Sequence, residues 1–513
     1  MGLPSRPPCR VLIIGGGISG LAMACKLKRA FNLDDYCIYD RQSSLGGTWW
    51  ANTYPGCAVD VPGFTYTFSF APNPHFTRLF PPQEEILEYL STVAIQYDVD
   101  RHFTGHTEWT GAAWQEKTRT WIVTLQDLNT GQSFTQECQI LVSAVGGIVN
   151  PHELKIPGVE NFQGGIIHTA RWRHDVDLTN KHVAVIGNGA SAIQLVPAIA
   201  DRAKSITQFM RTPHHIVQAN NYNISPTWRA IFHQIPILLY VLRLFMLLYM
   251  ETAFFQFLNT PNGKTRRLAS EKASQEYVQN TAPEQYWDLL IPKYEFGCKR
   301  RLFDHTYLTS LHQTHKVTLT NDPIVSLTKN AIKTQHGSSI PVDIIILATG
   351  FSLTQYTTPL EGRNHKTRAQ HWSTYGHKAT FKTVAMHGFP NFFYVLGPNS
   401  GRLYTSTVQV IERYVLLSSL CKDLLTDIPE NSEVDLIIST ITPILRGEAT
   451  TVEVKEESER IFDEQLHQAI EGTVHGTGEG GCSSVSFLFP YLPPPTPPFP
   501  SLLLLFVMIC CFL

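Results

Sequence analysis

Apolar and polar positions alternate in blocks that predict a strand, a turn, a helix and a second strand near the start of the chain. The largely β-branched run Arg10–Ile14 is typical of a buried strand, and the apolar stretch Leu21–Ala30 fits a helix. Tyr36–Tyr39 predicts the next strand, which ends at Asp40. Because glycines fill the junction between the first strand and the helix, this order indicates a βαβ unit with a glycine turn.

The same order of elements recurs later in the chain. His182–Ile186 predicts a strand, a helix follows from Ile193, and Ser205–Met210 predicts a second strand. Here the strand is followed by Arg211 rather than by an acid. Two such units predict an α/β protein with two Rossmann-like dinucleotide-binding domains.

One apolar run after the second unit belongs to neither of them. Ile235–Met250 is apolar all round except for Arg243, which predicts a buried helix within a helical insertion. Its 16 residues fall short of a membrane span, which needs about 20. The alternative is a helix that lies on a membrane surface or lines the entry of an apolar substrate. The strand predicted over Val342–Leu347 returns the chain to a sheet.

Composition and charge narrow the classes of protein. The 513 residues predict two or three domains, and 43% hydrophobic with 16% charged residues describes a globular protein. A formal net charge of -2 offers no basic face for nucleic acid. The ten cysteines form no CxxC pair and no zinc spacing, which predicts a reducing compartment and no metal site. Glycines interrupt the apolar residues 11–25, so we expect no secretion signal and a cytoplasmic location.

The last residues differ in composition from the rest of the chain. Residues 485–513 hold a proline-rich run and then 13 mostly apolar residues. Proline cannot build a core element there, and 13 residues are short for a membrane span. Two interpretations stay open: a weak membrane anchor, and a gene end translated from non-coding sequence, which we favour.

The first glycine turn has the spacing of a pyrophosphate-binding loop. In G-x-G-x-x-G, Gly15 makes the tight turn, Gly17 lets the backbone approach the phosphates, and Gly20 lets helix and strand pack closely. The helix N-terminus holds the phosphates with its free N–H groups. Asp40, 25 positions after Gly15, can accept hydrogen bonds from ribose hydroxyls.

The second glycine turn predicts a different nucleotide. Gly187 and Gly189 keep the first two glycines, and Ala192 takes the place of the third. Arg211, 24 positions after Gly187, stands about where the first unit has its acid. A guanidinium can bind a 2′-phosphate in bidentate fashion, so this unit is predicted to prefer NADPH over NADH. An ordinary surface arginine is the alternative.

Two dinucleotide sites together predict hydride transfer from a nicotinamide to a flavin. The first unit, with its acid, suits the AMP half of FAD, and the second suits NADPH. Disulfide reductases also use both cofactors, but they need a redox-active dithiol. No such cysteine pair occurs near the first unit, which argues against that class.

A motif between the two units resembles that of a known enzyme family. Phe162, Gly164, His168 and Trp172 match the F-x-G-x-x-x-H-x-x-x-W fingerprint of flavin monooxygenases, whose tryptophan form marks the Baeyer–Villiger branch. Arg173 stands where the family usually has proline or aspartate. The resemblance implies that His168 lies in the linker that couples the cofactor domains. A purely structural histidine is the alternative.

Other segments resemble the same family, and the likeness spans about residues 8–420. Thr53 is a departure, since the family commonly has arginine before the tyrosine of its Y-P-G-x-x-x-D segment. The matching segments are Gly46–Trp49 with Tyr54–Asp60, Gly297–Arg301 with Asp304 and Tyr307, Ala348–Phe351, and Gly397–Ser400.

We expect each cofactor domain to be built from two stretches of chain. The FAD domain takes residues 1–150 and 346–475, and the NADPH domain takes 151–214 and 298–345. Residues 215–297 form the helical insertion, and 476–513 form the atypical tail.

The predicted cofactor site combines the two glycine turns with the segments that resemble the family. By the resemblance, Arg300 is the catalytic cation that stabilises developing negative charge, and Asp60 holds its guanidinium in place. From the residues alone, Asp60 is equally an acid in a turn and Arg300 one member of a basic surface run. Lys299 would assist Arg211 at the 2′-phosphate. The predicted cofactor-binding residues are Gly15, Gly17, Gly20, Asp40, Gly47, Thr48, Trp49, Asp60, Tyr66, Gly187, Gly189, Ser191, Arg211, Thr212, Lys299, Thr349 and Gly350.

The resemblance implies a Baeyer–Villiger monooxygenase that uses FAD, NADPH and O2. NADPH reduces FAD, and oxygen adds to the reduced flavin as a C4a-peroxide that attacks a ketone to give an ester or lactone. Apolar stretches of the chain favour a hydrophobic ketone, such as a polyketide, terpenoid or steroid, and a role in secondary metabolism. Two alternatives stay open: an N- or S-hydroxylating flavin monooxygenase, and a catalytically impaired flavoprotein.

Overall fold

The computed structural model describes residues 3–352, 356–400, 406–411 and 432–476. The interpretations of residues 485–513 concern a segment outside these described residues. The strands are β1 Ser5–Ile14, β2 Tyr36–Tyr39, β3 Phe103–Thr104, β4 Thr107–Gln115, β5 Thr120–Asp127, β6 Ser133–Ser143, β7 Asn150–Pro151, β8 Gly165–His168, β9 His182–Ile186, β10 Ser205–Phe209, β11 Ile216–Gln218, β12 Leu302–Asp304, β13 Val317–Thr320, β14 Ile324–Leu327, β15 Ala331–Thr334, β16 Ser339–Pro341, β17 Ile344–Leu347, β18 Phe351–Ser352, β19 Leu360–Glu361 and β20 Phe392–Tyr394. The helices are α1 Ile18–Phe31, α2 Thr48–Ala51, α3 Gln83–Gln96, α4 Ala190–Ile199, α5 Pro226–Gln234, α6 Pro236–Thr252, α7 Pro261–Thr281, α8 Trp287–Leu290, α9 Tyr307–Ser310, α10 Arg368–Tyr375, α11 Thr407–Ile411, α12 Glu433–Leu445 and α13 Glu456–Glu471.

The first sheet has β1 near its centre, between β6 and β2. The strand order is β19-β4-β5-β6-β1-β2-β3, with β20 also paired to β6. β1 runs parallel to both neighbours, and Val11 lies opposite Tyr36. Because Val11, Leu12 and Ile13 are fully buried, both faces of β1 are covered, which explains its continuous apolar run. The strand predicted over residues 10–14 begins earlier, at Ser5, and the one over 36–39 is confirmed.

The second sheet is parallel throughout, in the order β13-β10-β9-β17-β8. Its strand β9 has the predicted bounds, and β10 ends one residue earlier than predicted. Helix α4 begins at Ala190 rather than at Ile193, because the helix extends to the end of the glycine turn. β17 begins at Ile344, two residues later than predicted, and the Val342 N–H is bonded to the Asn330 carbonyl, outside this sheet. The two parallel sheet cores confirm the α/β prediction.

Helices α5 to α8 lie between β11 and β12 in the sequence. β11 pairs in parallel with β12, and Ile216 lies opposite Leu302. The chain therefore returns, after the helical insertion, to the place from which it left. This pairing brings the residues just before Ile216 beside those just before Leu302, and the Leu302 N–H donates to the His215 carbonyl at 2.9 Å.

Helix α6 contains the apolar run that was predicted to be a buried helix, and that prediction was wrong for one of its faces. Ile237, which is 63% exposed, and Tyr249 lie on the outer face. The inner face is buried and includes Arg243, whose guanidinium donates to the hydroxyl and carbonyl oxygens of Thr67. By length and composition alone, Pro236–Phe257 is a helical stretch of the described chain that could cross a membrane. This stretch is longer than the apolar run because α6 continues into a 3-10 turn over Ala253–Phe257.

Candidate functional site

The first glycine turn lies against the ends of two neighbouring strands. Gly15 has a φ of 110°, which glycine tolerates, and its N–H donates to the Tyr39 carbonyl at 2.8 Å. A Cβ on Gly15 would lie 2.3 Å from the Ala144 carbonyl oxygen. Gly20 is equally constrained, because its Cβ would lie 1.9 Å from the Gly15 oxygen. The turn therefore requires glycine at both positions.

The second glycine turn repeats this geometry. Gly187 has a φ of 123°, its N–H donates to the Phe209 carbonyl at 2.9 Å, and its Cβ would lie 2.2 Å from the Ala348 carbonyl oxygen. The residues before the two helices also match: Gly17 has φ -81° and ψ -167°, and Gly189 has φ -80° and ψ -169°. Two turns from distant parts of the chain thus share one backbone conformation.

Both helix starts fit the pyrophosphate group of a dinucleotide. Neither α1 nor α4 has a side-chain hydrogen bond at its N-cap, which leaves first-turn N–H groups for a ligand. A Cβ on Gly189 would meet nothing within 4 Å, and one on Gly17 would meet the Gly47 Cα at 3.5 Å. The space beside each helix start and the unused N–H donors suit two anionic groups.

Asp40, at the end of β2, is tied to the first glycine turn. Its carboxylate accepts from the Gly16 N–H at 2.6 Å and from the Gln42 N–H at 2.8 Å. Burial raises the pKa of this carboxyl group. Since each carboxylate oxygen has a further lone pair, the ribose contact predicted for Asp40 is compatible with these bonds.

The segment that resembles G-T-W packs on the first glycine turn. The Gly46 N–H donates to the Gly16 carbonyl at 2.9 Å. Trp49 is buried, and its indole N–H donates to the Tyr66 hydroxyl at 3.2 Å, with ring centroids 5.5 Å apart. The structure therefore brings the predicted flavin-side residues Gly47, Thr48, Trp49 and Tyr66 to one end of the first sheet.

Arg300 and Asp60 form an ion pair, as predicted. Arg300 Nη2 lies 2.8 Å from Asp60 Oδ1 and 2.7 Å from Oδ2, and the side chains are 38% and 31% exposed. Burial raises the pKa of Tyr66 to about 12, and the charges of Asp60 and Arg300 act on the same hydroxyl. The pair therefore stands next to the Trp49–Tyr66 cluster, in a partly shielded position. The catalytic role of Arg300 stays a prediction.

Arg211 and Lys299 place two cations beside the second unit. The pairing of β11 with β12 brings their segments together. Burial lowers the pKa of the Lys299 ammonium, and the positive charge of Arg211 lowers it further. The Lys299 Nζ also lies 5.0 Å from the Tyr294 ring centroid. Two neighbouring cations are what a doubly charged phosphate would need.

His214, three residues after Arg211, lies beside the backbone of Arg300 and was not identified from the sequence. Burial lowers the pKa of its imidazole, and the Arg300 backbone acts on the ring in the opposite direction. On the other side of the turn, the Asn188 side chain donates to the Thr212 carbonyl at 2.7 Å. The second glycine turn is thus hydrogen bonded to the Arg211 turn, and His214 of that turn lies beside Arg300.

Gln194 is a second residue that sequence reasoning missed. Its side chain accepts from the Tyr54 hydroxyl at 2.8 Å and donates to the Ala58 carbonyl at 3.0 Å. Ser191, one turn earlier on α4, acts on the same tyrosine hydroxyl and lowers its pKa, against the larger effect of burial. Helix α4 therefore holds the segment that leads to Asp60. A glutamine within an otherwise apolar helical run was the one available signal.

His168 connects the linker to the turn after β17. Its Nδ1 accepts from the Ala170 N–H at 3.0 Å, and its Nε2 lies 3.3 Å from the Thr349 hydroxyl. Burial lowers the pKa of the ring to about 4. Gly350 follows with a φ of 77° and accepts from the His152 N–H at 3.0 Å. The imidazole is therefore neutral at neutral pH, and it joins two stretches of chain.

The lowered pKa of His168 predicts a loss of stability in acid. An unfolded chain binds a proton on this ring near pH 6.5, whereas the folded chain binds it only near pH 4. Between these values the unfolded state holds more protons, so stability decreases as pH falls. We expect the unfolding temperature to fall less for His168→Gln than for wild type as the pH is lowered over this range. Thermal denaturation at a series of pH values measures this difference. The exposed control His312→Gln should follow wild type, and equal slopes for all three proteins would contradict the assignment.

Comparison with known proteins identifies relatives over most of the chain. A model of the NAD(P)-binding Rossmann-like domain matches residues 13–81. A Baeyer-Villiger monooxygenase of Pseudomonas aeruginosa is 32% identical over 481 residues, covering 93% of this chain and 85% of the relative. Another, of Streptomyces coelicolor, is 33% identical over 407 residues, covering 79% of this chain and 76% of the relative.

Solved structures agree with these relatives. The oxidized steroid monooxygenase bound to NADP superposes with a TM-score of 0.78 at 25% identity, over 94% of this chain and 95% of that chain. Both predicted cofactors are therefore supported by relatives as well as by the two glycine turns. The chain belongs to the Baeyer–Villiger monooxygenase family of flavin enzymes, which use FAD, NADPH and O2.

Proposed function

We propose that this enzyme inserts one oxygen atom of O2 beside the carbonyl of a hydrophobic ketone, giving an ester or a lactone. The second oxygen atom leaves as water, and NADPH supplies the two electrons. When bound, FAD carries these electrons from NADPH to oxygen. The observation that carries the proposal is the ion pair of Arg300 with Asp60, next to the Trp49–Tyr66 cluster.

Arg300 supplies positive charge where negative charge grows on the ketone oxygen during attack. The pair with Asp60 uses Nη2, so the donors on Nε and Nη1 lie outside it. Asp60 limits rotation of the guanidinium, and a cation held in place stabilises an anionic adduct better than mobile water does. Attack on a ketone creates such an anionic adduct, whereas oxidation of an amine or sulfide does not. The fixed positive charge of Arg300 therefore favours oxidation of a ketone.

We assign the remaining predicted residues to cofactor binding. The two glycine turns hold the pyrophosphates, Asp40 binds a ribose of FAD, and Arg211 with Lys299 binds the 2′-phosphate of NADPH. Supporting observations are the uncapped helix starts and the effect of the Arg211 charge on the pKa of Lys299. The proposed domain division at residues 150, 214, 297, 345 and 475 is supported by the first sheet, whose strands lie within residues 1–150 and 346–475. The strands of the second sheet lie within residues 151–214 and 298–345, except that β17 continues to Leu347.

The substrate is proposed to be apolar. The solved relatives include a cyclohexanone monooxygenase and a steroid monooxygenase, and the exposed apolar side chains of α6 offer a surface for a hydrophobic molecule. A setting in secondary metabolism and a cytoplasmic location are part of the same proposal. Weak membrane contact through α6 would suit a substrate drawn from lipid.

The test is an assay of purified, FAD-loaded protein with NADPH and matched panels of ketones, amines and sulfides. We expect a mass gain of one oxygen atom, in an ester or lactone, with at least one ketone. Oxygenation confined to amines or sulfides would favour an N- or S-hydroxylating enzyme instead. A colourless purified protein that takes up no added FAD would indicate a catalytically impaired product.

A further inference from the structure

A cluster of two histidines and one aspartate lies outside the cofactor site. His377 follows Gly376, whose φ of 76° ends α10, while Asp463 and His467 lie one turn apart on α13. His377 Nε2 is 2.9 Å from Asp463 Oδ1 and 3.1 Å from Oδ2. His467 Nδ1 is 3.6 Å from Asp463 Oδ2. The ring centroids of the two histidines are 4.3 Å apart.

These separations suit a single small cation. Zn²⁺ binds nitrogen and oxygen ligands at about 2.0–2.1 Å in a tetrahedron, so two ligands lie about 3.3 Å from each other. The distances from the Asp463 oxygens to the two rings fall on either side of that value, and the three ligand atoms lie within 4.8 Å of one another. One carboxylate and two imidazoles are also a common donor set for zinc.

Exposure allows an ion to enter the cluster. The side chains of His377 and His467 are 36% and 46% exposed, whereas that of Asp463 is 10% exposed. The anionic ligand is thus shielded while both rings can be reached from solvent. A three-residue site leaves the fourth position of the tetrahedron to water.

The neighbouring pair of Glu459 on α13 with His371 on α10 differs from this cluster, because it is a purely structural contact. Glu459, one turn before Asp463, meets His371 at 2.9 Å, and both side chains are almost fully buried. The other oxygen of Glu459 accepts from the His387 N–H at 2.7 Å. That pair is enclosed and no ion can reach it, unlike the His377–Asp463–His467 cluster.

We propose that His377, Asp463 and His467 form a binding site for a divalent transition-metal cation such as Zn²⁺. His467 Nδ1 now lies 2.9 Å from the Asp463 carbonyl oxygen. On binding, His467 Nδ1 and His377 Nε2 each exchange the hydrogen bond that they make to Asp463 for the metal, and the proton of each ring moves to its other nitrogen. The ion joins α13 to the turn after α10, so its role is to hold the C-terminal part of the described chain in place. The site is independent of the proposed oxygenation chemistry.

The experiment uses tag-free, FAD-loaded protein that has been stripped with a chelator and titrated with Zn²⁺. Binding is measured by calorimetry and by metal analysis after gel filtration. We expect one bound Zn²⁺ per chain for wild type and none for His467→Ala. Removing a ligand should weaken the affinity by at least about tenfold. Zn²⁺ should also raise the unfolding temperature of wild type but not that of the variant.

Two further variants separate metal loss from misfolding. Asp463→Asn keeps the shape of the side chain but removes the charge, and it should bind as weakly as His467→Ala. His336→Ala removes an exposed histidine that pairs with Asp322 without a second ring, and it should bind Zn²⁺ like wild type. Retained FAD absorbance shows that each variant is folded. Wild type without a bound equivalent of Zn²⁺, or equal binding by wild type and both cluster variants, would overturn the site.

Discussion

Replacing Arg300 with alanine should leave a flavoprotein that oxidises NADPH but forms only traces of ester or lactone. In the folded enzyme the guanidinium lies 2.7 Å from Asp60, which holds its charge in one position. Removing a preorganised charge of this kind commonly costs about 10²- to 10³-fold in turnover. FAD binding depends on the first glycine turn, so it should survive the change. Reducing equivalents from NADPH should then appear as hydrogen peroxide rather than as product.

The measurement compares NADPH consumption, peroxide release and oxygenated product in the same reaction. Arg300→Lys keeps a positive charge without the planar fork, and it should recover part of the product yield. The matched control is Arg101→Ala, which removes a surface arginine paired with Asp34 at 2.7 Å and should behave like wild type. Wild-type amounts of product from Arg300→Ala would remove this residue from the mechanism.

The parts of the fold that follow from local chemistry were predictable from the sequence. Gly15 and Gly187 lie where a positive φ and a neighbouring carbonyl leave no room for a Cβ. Only glycine meets this requirement, so the residue type alone indicates the turn. The strands predicted at residues 36–39 and 182–186 have the observed bounds because each is a short apolar run between turns. These signals involve neighbours in sequence, so one chain is enough to recognise them.

The features that were missed depend on contacts between distant segments. Helix α6 is apolar all round, and the sequence does not say which face packs on Thr67 and which stays outside. Gln194 forms its two hydrogen bonds only because Tyr54 and Ala58 pack against α4. His214 lies beside Arg300 only because β11 pairs with β12.

The proposed metal site illustrates the same limit on prediction from the sequence. Zinc ligands can be recognised from the sequence when they form a compact motif, whereas His377 lies 86 positions from Asp463. Only Asp463 and His467, one helical turn apart, are close in sequence. An aspartate and a histidine at that spacing are common on helices and indicate no metal by themselves.

The second large effect is expected from Arg211→Ala, which should weaken the use of NADPH far more than the use of NADH. Hydrogen bonds to charged groups contribute about 1.5–3 kcal/mol each, so losing the guanidinium should raise the NADPH KM by about one to two orders of magnitude. NADH has no 2′-phosphate, so its KM should change little. Lys299, whose pKa is lowered in part by Arg211, should retain some of the phosphate binding, and the double variant should lose the preference for NADPH.

The control lies on the same domain. Arg202→Ala removes an exposed arginine that pairs with Asp177 at 3.4 Å, and the ratio of the two KM values should stay at the wild-type level. Steady-state kinetics with both nicotinamides at saturating ketone would give that ratio for each variant. If Arg211→Ala raised both KM values equally, the guanidinium would act on the adenosine or on folding, and the 2′-phosphate would have to be bound elsewhere. A change confined to NADPH is the result that only a phosphate contact explains, because the two cofactors differ in that group alone.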